Sequence, residues 1–138
     1  MKKYPKVVAI DFDETIGLYN PEKIGIGGYN PKNIYNVPNP RLIKIIKNLR
    51  KNKVKVIVYT SRWWGDYNSL SEWFKKYKIK VDDIILGRFK ADVYICDKAL
   101  NAHSKSLEKD ITKMLKLSES WGMHYKKLIK KGKRNGKD

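Results

Sequence analysis

The chain has 138 residues, with 31 Lys and Arg against 14 Asp and Glu, a formal net charge of +17, and charge of that size attracts polyanions and phosphate-bearing molecules. Its length suits one domain around a single core, and 41% hydrophobic with 33% charged residues is a globular composition. No run approaches the roughly 20 apolar residues that span a bilayer, and the lone Cys96 excludes an internal disulfide.

Met1-Lys2-Lys3 is basic, but the apolar run after it is too short for a secretory leader, so the expectation is a cytoplasmic, intracellular protein with no membrane partner. That run, Val7 to Ile10, reads as a buried strand and delivers Asp11 and Asp13 at its end, with Thr15 two residues on. Strand periodicity puts the two acids on one side, where ionised groups need a cation or a charged partner. Residues 16–37 are rich in Gly, Asn, Pro and Tyr, with turn signals at Gly25, Gly27, Gly28, Asn20-Pro21 and Asn30-Pro31. They read as a loop or irregular hairpin over the end of the first strand. Asn39-Pro40 is a plausible cap and first-turn pair, and Leu42, Ile43, Ile45, Ile46 and Leu49 recur with helical period to about Lys51.

Val54 to Tyr59 is a second strand, closed by Thr60, Ser61 and Arg62. A second helix starts near Asp66 or Asn68 with Leu70, Trp73, Phe74 and Tyr77 on its apolar face. Ile84 to Leu86 and Val93 to Cys96 are predicted as third and fourth strands, the fourth ending at Asp97. Ser104 or Ser106 opens a helix carrying Leu107, Ile111, Met114 and Leu115, and Trp121, Tyr125, Leu128 and Ile129 suggest a final one. The reading is one domain over residues 1–125 and a basic tail over 126–138 with the composition of a disordered segment.

Strands alternating with helices predict an α/β fold, a three-layer α/β/α sandwich with a mainly parallel, Rossmann-like sheet. Ligand sites in such sheets lie beyond the carboxyl ends of the strands. Asp11 and Asp13, Thr60 to Arg62 and Asp97 each follow a strand, and Arg88 to Lys90 lie just ahead of the fourth. One crevice would then hold three carboxylates, a hydroxyl and one or two cations. Oxygen ligands at Asp11, Asp13 and Asp97 suit Mg²⁺, whereas His103 and His124 lack a partner at zinc-ligand spacing. An Asp beside Mg²⁺ can attack phosphorus and form an aspartyl-phosphate, provided a metal, a cation and hydroxyl or backbone donors surround the transferred group.

In these motifs the chain resembles the haloacid-dehalogenase-like phosphatases and phosphotransferases, over roughly residues 7–101. DFDETI, Asp11 to Ile16, matches the D-x-D-x-T pattern, which implies Asp11 as nucleophile and Asp13 as general acid/base whose carbonyl also touches Mg²⁺. Val54 to Thr60 matches the strand ending in a phosphate-holding Thr, and YICDKAL resembles the acid-bearing fourth motif, with Asp97 at the metal. Two departures stand out. Cys96 replaces the first acid of the usual Asp-Asp, which would weaken metal binding or its orienting network. Gly87-Arg88-Phe89-Lys90 replaces Gly-Lys-Pro, which leaves Arg88 and Lys90 competing for the orienting cation, with Lys90 favoured because it lies nearer the fourth strand.

The segment over residues 16–37 leaves no room for a large cap, so the resemblance implies an open site. Trp63 and Trp64 follow Arg62 and are either a helix-entry staple or, with Thr60, Ser61 and Arg62, part of a substrate-binding rim on which a base or sugar stacks. Tyr19 and Tyr29 would form the opposite wall or simply anchor the loop. The expected function is a Mg²⁺-dependent phosphomonoester hydrolase acting on a phosphorylated small molecule, a nucleotide or a nucleic-acid end. Two alternatives stand beside it: a phosphate- or nucleic-acid-binding protein of the same fold with weakened turnover, and an enzyme domain serving a larger nucleic-acid repair or modification assembly. The basic surface either binds nucleic acid or reflects a compositional habit.

Overall fold

Two β-α-β steps build the core. In the computed structural model, which describes residues 6–20, 22 and 34–116, β1 (Val7–Ile10) leads to α1 (Pro40–Lys51), β4 (Lys55–Tyr59), α2 (Tyr67–Lys76) and β5 (Asp83–Ile85). β1, β4 and β5 form one sheet in that spatial order. Every pairing in it is parallel, with Ile10 opposite Val58 and Val58 opposite Ile84. A short antiparallel pair, β2 (Gly17–Leu18) with β3 (Val37–Pro38), closes the base of the segment between β1 and α1. The fold is α/β and Rossmann-like.

Both helices form where the sequence pattern places them. The Asn39 side chain accepts from the Arg41 N–H, Pro40 occupies the first turn, and Leu42, Ile45, Ile46 and Leu49 are buried. That spacing of three and four makes one apolar stripe. On α2 the stripe is Leu70, Trp73 and Phe74, and a turn of 3₁₀ helix over Trp64–Asp66 precedes it. Parallel strands joined through helices bury the sheet face that the helices cover, and α1 packs on β4. Burial alternates accordingly along β4: Val56 and Val58 are fully enclosed, while Lys55 and Tyr59 are exposed.

The chain divides into two compact units, Met1–Tyr94 and Ile95–Asp138. Within the second, α3 (Leu107–Leu115) buries Leu107 and Ile111, and the Ser106 hydroxyl donates to Asp110 rather than capping the backbone. One predicted strand is absent. Residues 93–96 form no strand, and Val93 and Ile95 are 72% and 96% exposed. An apolar run becomes a strand only when a neighbour supplies ladder hydrogen bonds, and no such pairing forms there. The final amphipathic helix, the basic tail, His124, Tyr29 and the glycines at 25, 27 and 28 lie outside the described residues.

Candidate active site

The first strand and its turn present both acids on one side. Asp11 and Asp13 flank Phe12, which is fully buried and meets Trp73 edge-on at 4.9 Å. Alternation drives Phe12 into the core and leaves the two carboxylates outward. The turn closes as the Thr15 and Gly17 amides both donate to the Phe12 carbonyl, at 3.2 and 2.9 Å. A Cβ on Gly17 would stand 2.7 Å from the Phe12 ring and 2.9 Å from the Asn36 Cβ, so only glycine lets the ring seat.

Asp13 is clamped. Arg62 donates from Nε to its Oδ2 at 2.9 Å and from Nη2 to its Oδ1 at 2.7 Å. This is a bidentate fork whose planar geometry an ammonium cannot reproduce. Asn36 adds a third donor, Nδ2 to Oδ1 at 3.2 Å. The same amide donates to the Gly17 carbonyl and accepts from Arg62, while the Asn36 backbone carbonyl accepts from Trp73 Nε1. Arg62, placed by sequence on the substrate rim, therefore has its fork engaged by Asp13.

Asp11 faces the other arginine. Arg88 Nη1 lies 4.0 Å from Asp11 Oδ2, and the Arg88 guanidinium sits 3.9 Å from the Tyr94 ring centroid and 5.4 Å from that of Tyr59. Tyr94 is itself anchored, its hydroxyl donating to the Phe89 carbonyl and accepting from the Ala91 amide. Burial pushes the Asp11 carboxyl above the usual range; the Phe12 amide and Arg88 pull it back, and the charge of Asp13 pushes it up again. Lys90 is exposed, and no ion pair to Asp11 forms there among the described residues.

Loops after β4 and β5 are laced together beyond the sheet. The Gly87 amide donates to the Arg62 carbonyl and the Arg88 amide to the Thr60 carbonyl, at 2.9 and 3.0 Å. Thr60 is fully buried, and its Oγ1 accepts from the Arg62 amide, which leaves the hydroxyl proton free to donate. Ser61 is exposed. Trp63 and Trp64 are 65% and 66% exposed, so neither is a buried helix-entry staple. The Trp64 ring instead lies over Gly87, whose φ of +78° and absent side chain allow it.

Asp97 belongs to the second unit. It is exposed there, its Oδ1 3.8 Å from Cys96 Sγ, and the Lys98 amide donates to that sulfur. Among the described residues no three His, Cys, Asp or Glu side chains converge on one point. The donors beside β1 are nonetheless the hard oxygens that Mg²⁺ takes: the part-exposed Asp11 carboxylate and the Asp13 main-chain carbonyl, with waters and a phosphate oxygen filling the remaining positions as this ion commonly allows.

Sequence reasoning misses Asn36, Trp73, Tyr59 and Tyr94 as parts of this site. Asn36 sits in a polar stretch with no pattern to single it out. Trp73 reads as core, which it is, and only its ring N–H reaches the site. Tyr94 reads as part of a strand.

No protein-family profile matches the sequence, and no curated protein does either. Solved structures do resemble it. Two describe the Pnkp1/Rnl/Hen1 RNA repair complex, at 21% and 23% identity and a TM-score of 0.51 each, covering 64% and 65% of this chain but 30% and 27% of theirs. The chain thus spans less than a third of those proteins. A crystal structure of a target from Vibrio cholerae matches at 17% identity and a TM-score of 0.55 over 88% of this chain and 98% of its own. At these identities the likeness is one of fold. Among the described residues no helix is long and apolar enough to cross a membrane.

Proposed function

We propose that this chain is a Mg²⁺-dependent phosphomonoester hydrolase of the haloacid-dehalogenase-like type, acting on phosphorylated nucleic-acid ends. The observation that carries it is the pairing at the end of β1: Asp11 faces Arg88 across 4.0 Å while Asp13, on the same side, is held by Arg62. A nucleophile needs a cation that also attracts its phosphate, and a proton carrier needs a fixed position.

An Asp11 oxygen attacks phosphorus, the bond from phosphorus to the leaving oxygen breaks, and a proton passes from Asp13 to that oxygen. Water then attacks the aspartyl-phosphate, Asp13 takes the water proton, and inorganic phosphate leaves with Asp11 restored. The clamp supports one Asp13 oxygen as the atom that moves the proton. A carboxylate offers about four lone-pair positions; among the described residues Arg62 and Asn36 fill both on Oδ1 and one on Oδ2, which leaves one on Oδ2. Arg88 holds the phosphoryl oxygens; the sequence resemblance adds the Thr60 hydroxyl, which is enclosed here. The Asp11 carboxylate and the Asp13 carbonyl would hold Mg²⁺, which when bound would supply charge neutralisation at the phosphoryl group.

Support for a nucleic-acid substrate comes from the net charge of +17, the exposed Trp63 and Trp64 beside the phosphate turn, and the RNA repair complex in which fold neighbours are found. The alternative is a binding protein with weakened turnover. It draws on the Asp13 clamp, three donors on the proposed proton carrier, and on Cys96 where the family has an acid. Phosphate release from an aryl phosphate with and without Mg²⁺ separates the two. The proposal expects Mg²⁺-dependent release that Asp11→Asn abolishes. Absence of release from either an aryl phosphate or a 3′- or 5′-phosphorylated oligonucleotide overturns it.

A further inference from the structure

The last turn of α1 and the connection from α2 to β5 come together at the amino end of the strands, the opposite end from Asp11. There they enclose a concavity of about 500 Å³ whose lining residues are Lys47, Arg50, Lys51, Lys78 and Lys80. Each of them is a cation, and the four lysines are exposed. Among the described residues one carboxylate pairs with this group: Asp82 lies 3.4 Å from Arg50 Nε. Asp82 also accepts from the Val56 amide at 2.8 Å, and that bond, ahead of Arg50, holds its carboxyl below the usual range. It therefore stays ionised and bound to the backbone, and the lysines keep their excess charge.

Helix dipoles explain part of this and not the rest. Arg50 and Lys51 occupy the last turn of α1, where a cation complements the helix carbonyls. The last-turn cations of α2 are Lys75 and Lys76, so Lys78 and Lys80 lie beyond that role. Lys78 moreover has φ +55°, a left-handed conformation that glycine takes at least cost after a helix. Lys53 and Lys116 take the same conformation after α1 and α3, so what sets Lys78 apart is its place on the wall of a concavity lined by four other cations. Like charges gathered in one cleft repel one another and focus a positive field outward, and an extended anion relieves both.

We propose that this cleft is a second nucleic-acid contact, binding the sugar-phosphate backbone of the strand away from the end that is processed. It extends the nucleic-acid part of the proposed function but can be read without any catalysis. Lysines suit such binding because mobile point charges follow a backbone of any sequence, whereas the arginine forks of the active site hold one geometry.

The test is fluorescence anisotropy with a labelled, unphosphorylated 16-nucleotide single strand, titrated with salt. The cleft variant is Lys47→Gln, Lys51→Gln, Lys78→Gly and Lys80→Gln; the control, with equal charge loss elsewhere, is Lys44→Gln, Lys76→Gln, Lys109→Gln and Lys113→Gln. The cleft variant should bind at least about tenfold more weakly than the control at low salt. Its log–log salt slope should be shallower by about 0.7 for each phosphate it no longer neutralises. Equal binding and equal slopes for the two variants overturn the proposal, since the attraction would then belong to the net charge alone. Should the fourfold variant fail to fold by circular dichroism, Lys78→Gly alone serves: glycine relaxes the backbone there, and it must still weaken binding more than Lys76→Gln does, or the proposal fails. Poly-glutamate competing as well as the oligonucleotide overturns the assignment to nucleic acid. Aryl-phosphate turnover, followed in parallel, reads the catalytic proposal separately: its absence from the parent protein would sink that reaction and leave the binding result intact.

Discussion

At the carboxyl end of the strands the cations are arginines held by partners: Arg62 by Asp13 and Asn36, Arg88 between Tyr94 and Asp11. At the amino end four exposed lysines and Arg50 surround an open concavity. The first arrangement commits each guanidinium to one neighbourhood and gains orientation. The second leaves ammonium groups in water and gains a field that reaches farther than any single hydrogen bond. A planar fork positions a reacting carboxylate, and a flexible lysine does not; a phosphate chain of variable path is met better by the reverse choice.

That contrast breaks most visibly at Asp11. Asp11→Asn should lower phosphate release by roughly 10⁴-fold or more, as removal of a nucleophile does elsewhere, while leaving oligonucleotide affinity nearly unchanged. The same variant should be more stable than the parent at neutral pH. Burial raises the Asp11 pKa, so the folded state holds this proton more tightly than the unfolded chain. The protonated form is fully accommodated below the unfolded-state range, and stability is lost as pH rises through the folded-state pKa. Melting temperatures of the two proteins should diverge above that range and converge at lower pH; a parent that outlasts Asp11→Asn at neutral pH contradicts the burial argument.

Arg62→Lys tests whether the fork itself matters. With charge retained and the second hydrogen bond gone, kcat should fall by about 10²–10³-fold, within the range general acid–base catalysis supplies, with KM little changed. Asn36→Ala should cost less, about tenfold in kcat, because it removes one of the donors that fix the Asp13 carboxylate. A shift in KM alone would return Arg62 to the substrate rim.

Arg88→Ala and Lys90→Ala should differ. Arg88 lowers the Asp11 pKa, so its loss should carry the acidic limb of kcat/KM to higher pH and reduce kcat by about tenfold or more. Lys90→Ala should leave the pH limb in place. Equal mild losses would mean that neither cation orients the nucleophile.

The effect expected at Trp63 is confined to nucleic acid. Its replacement by Ala should weaken a phosphorylated oligonucleotide by about 1–3 kcal/mol if a base stacks on it, with aryl-phosphate turnover unaffected. If both substrates suffer equally, the ring is a structural part of the loop.

Residues that announce themselves by period or motif are legible from sequence: β1 and its two acids, the capped α1 with Leu42, Ile45, Ile46 and Leu49, the α2 stripe, and the Rossmann-like class. Each rests on interactions within a few residues, which local pattern encodes. The fourth strand fails because residues 93–96 carry strand propensity without a partner to pair with, and pairing is not a local property. The two arginines show the limit most clearly. Both are visible as cations near a phosphate turn, yet which carboxylate each serves depends on how the loop after β4 lies against Asn36 and how Tyr94 folds back over Arg88. The chain alone decides what charges are present and on which strand they arrive; only tertiary packing decides their partners, because Asp13 and Arg62 stand 49 residues apart in sequence and 2.7 Å apart in the fold.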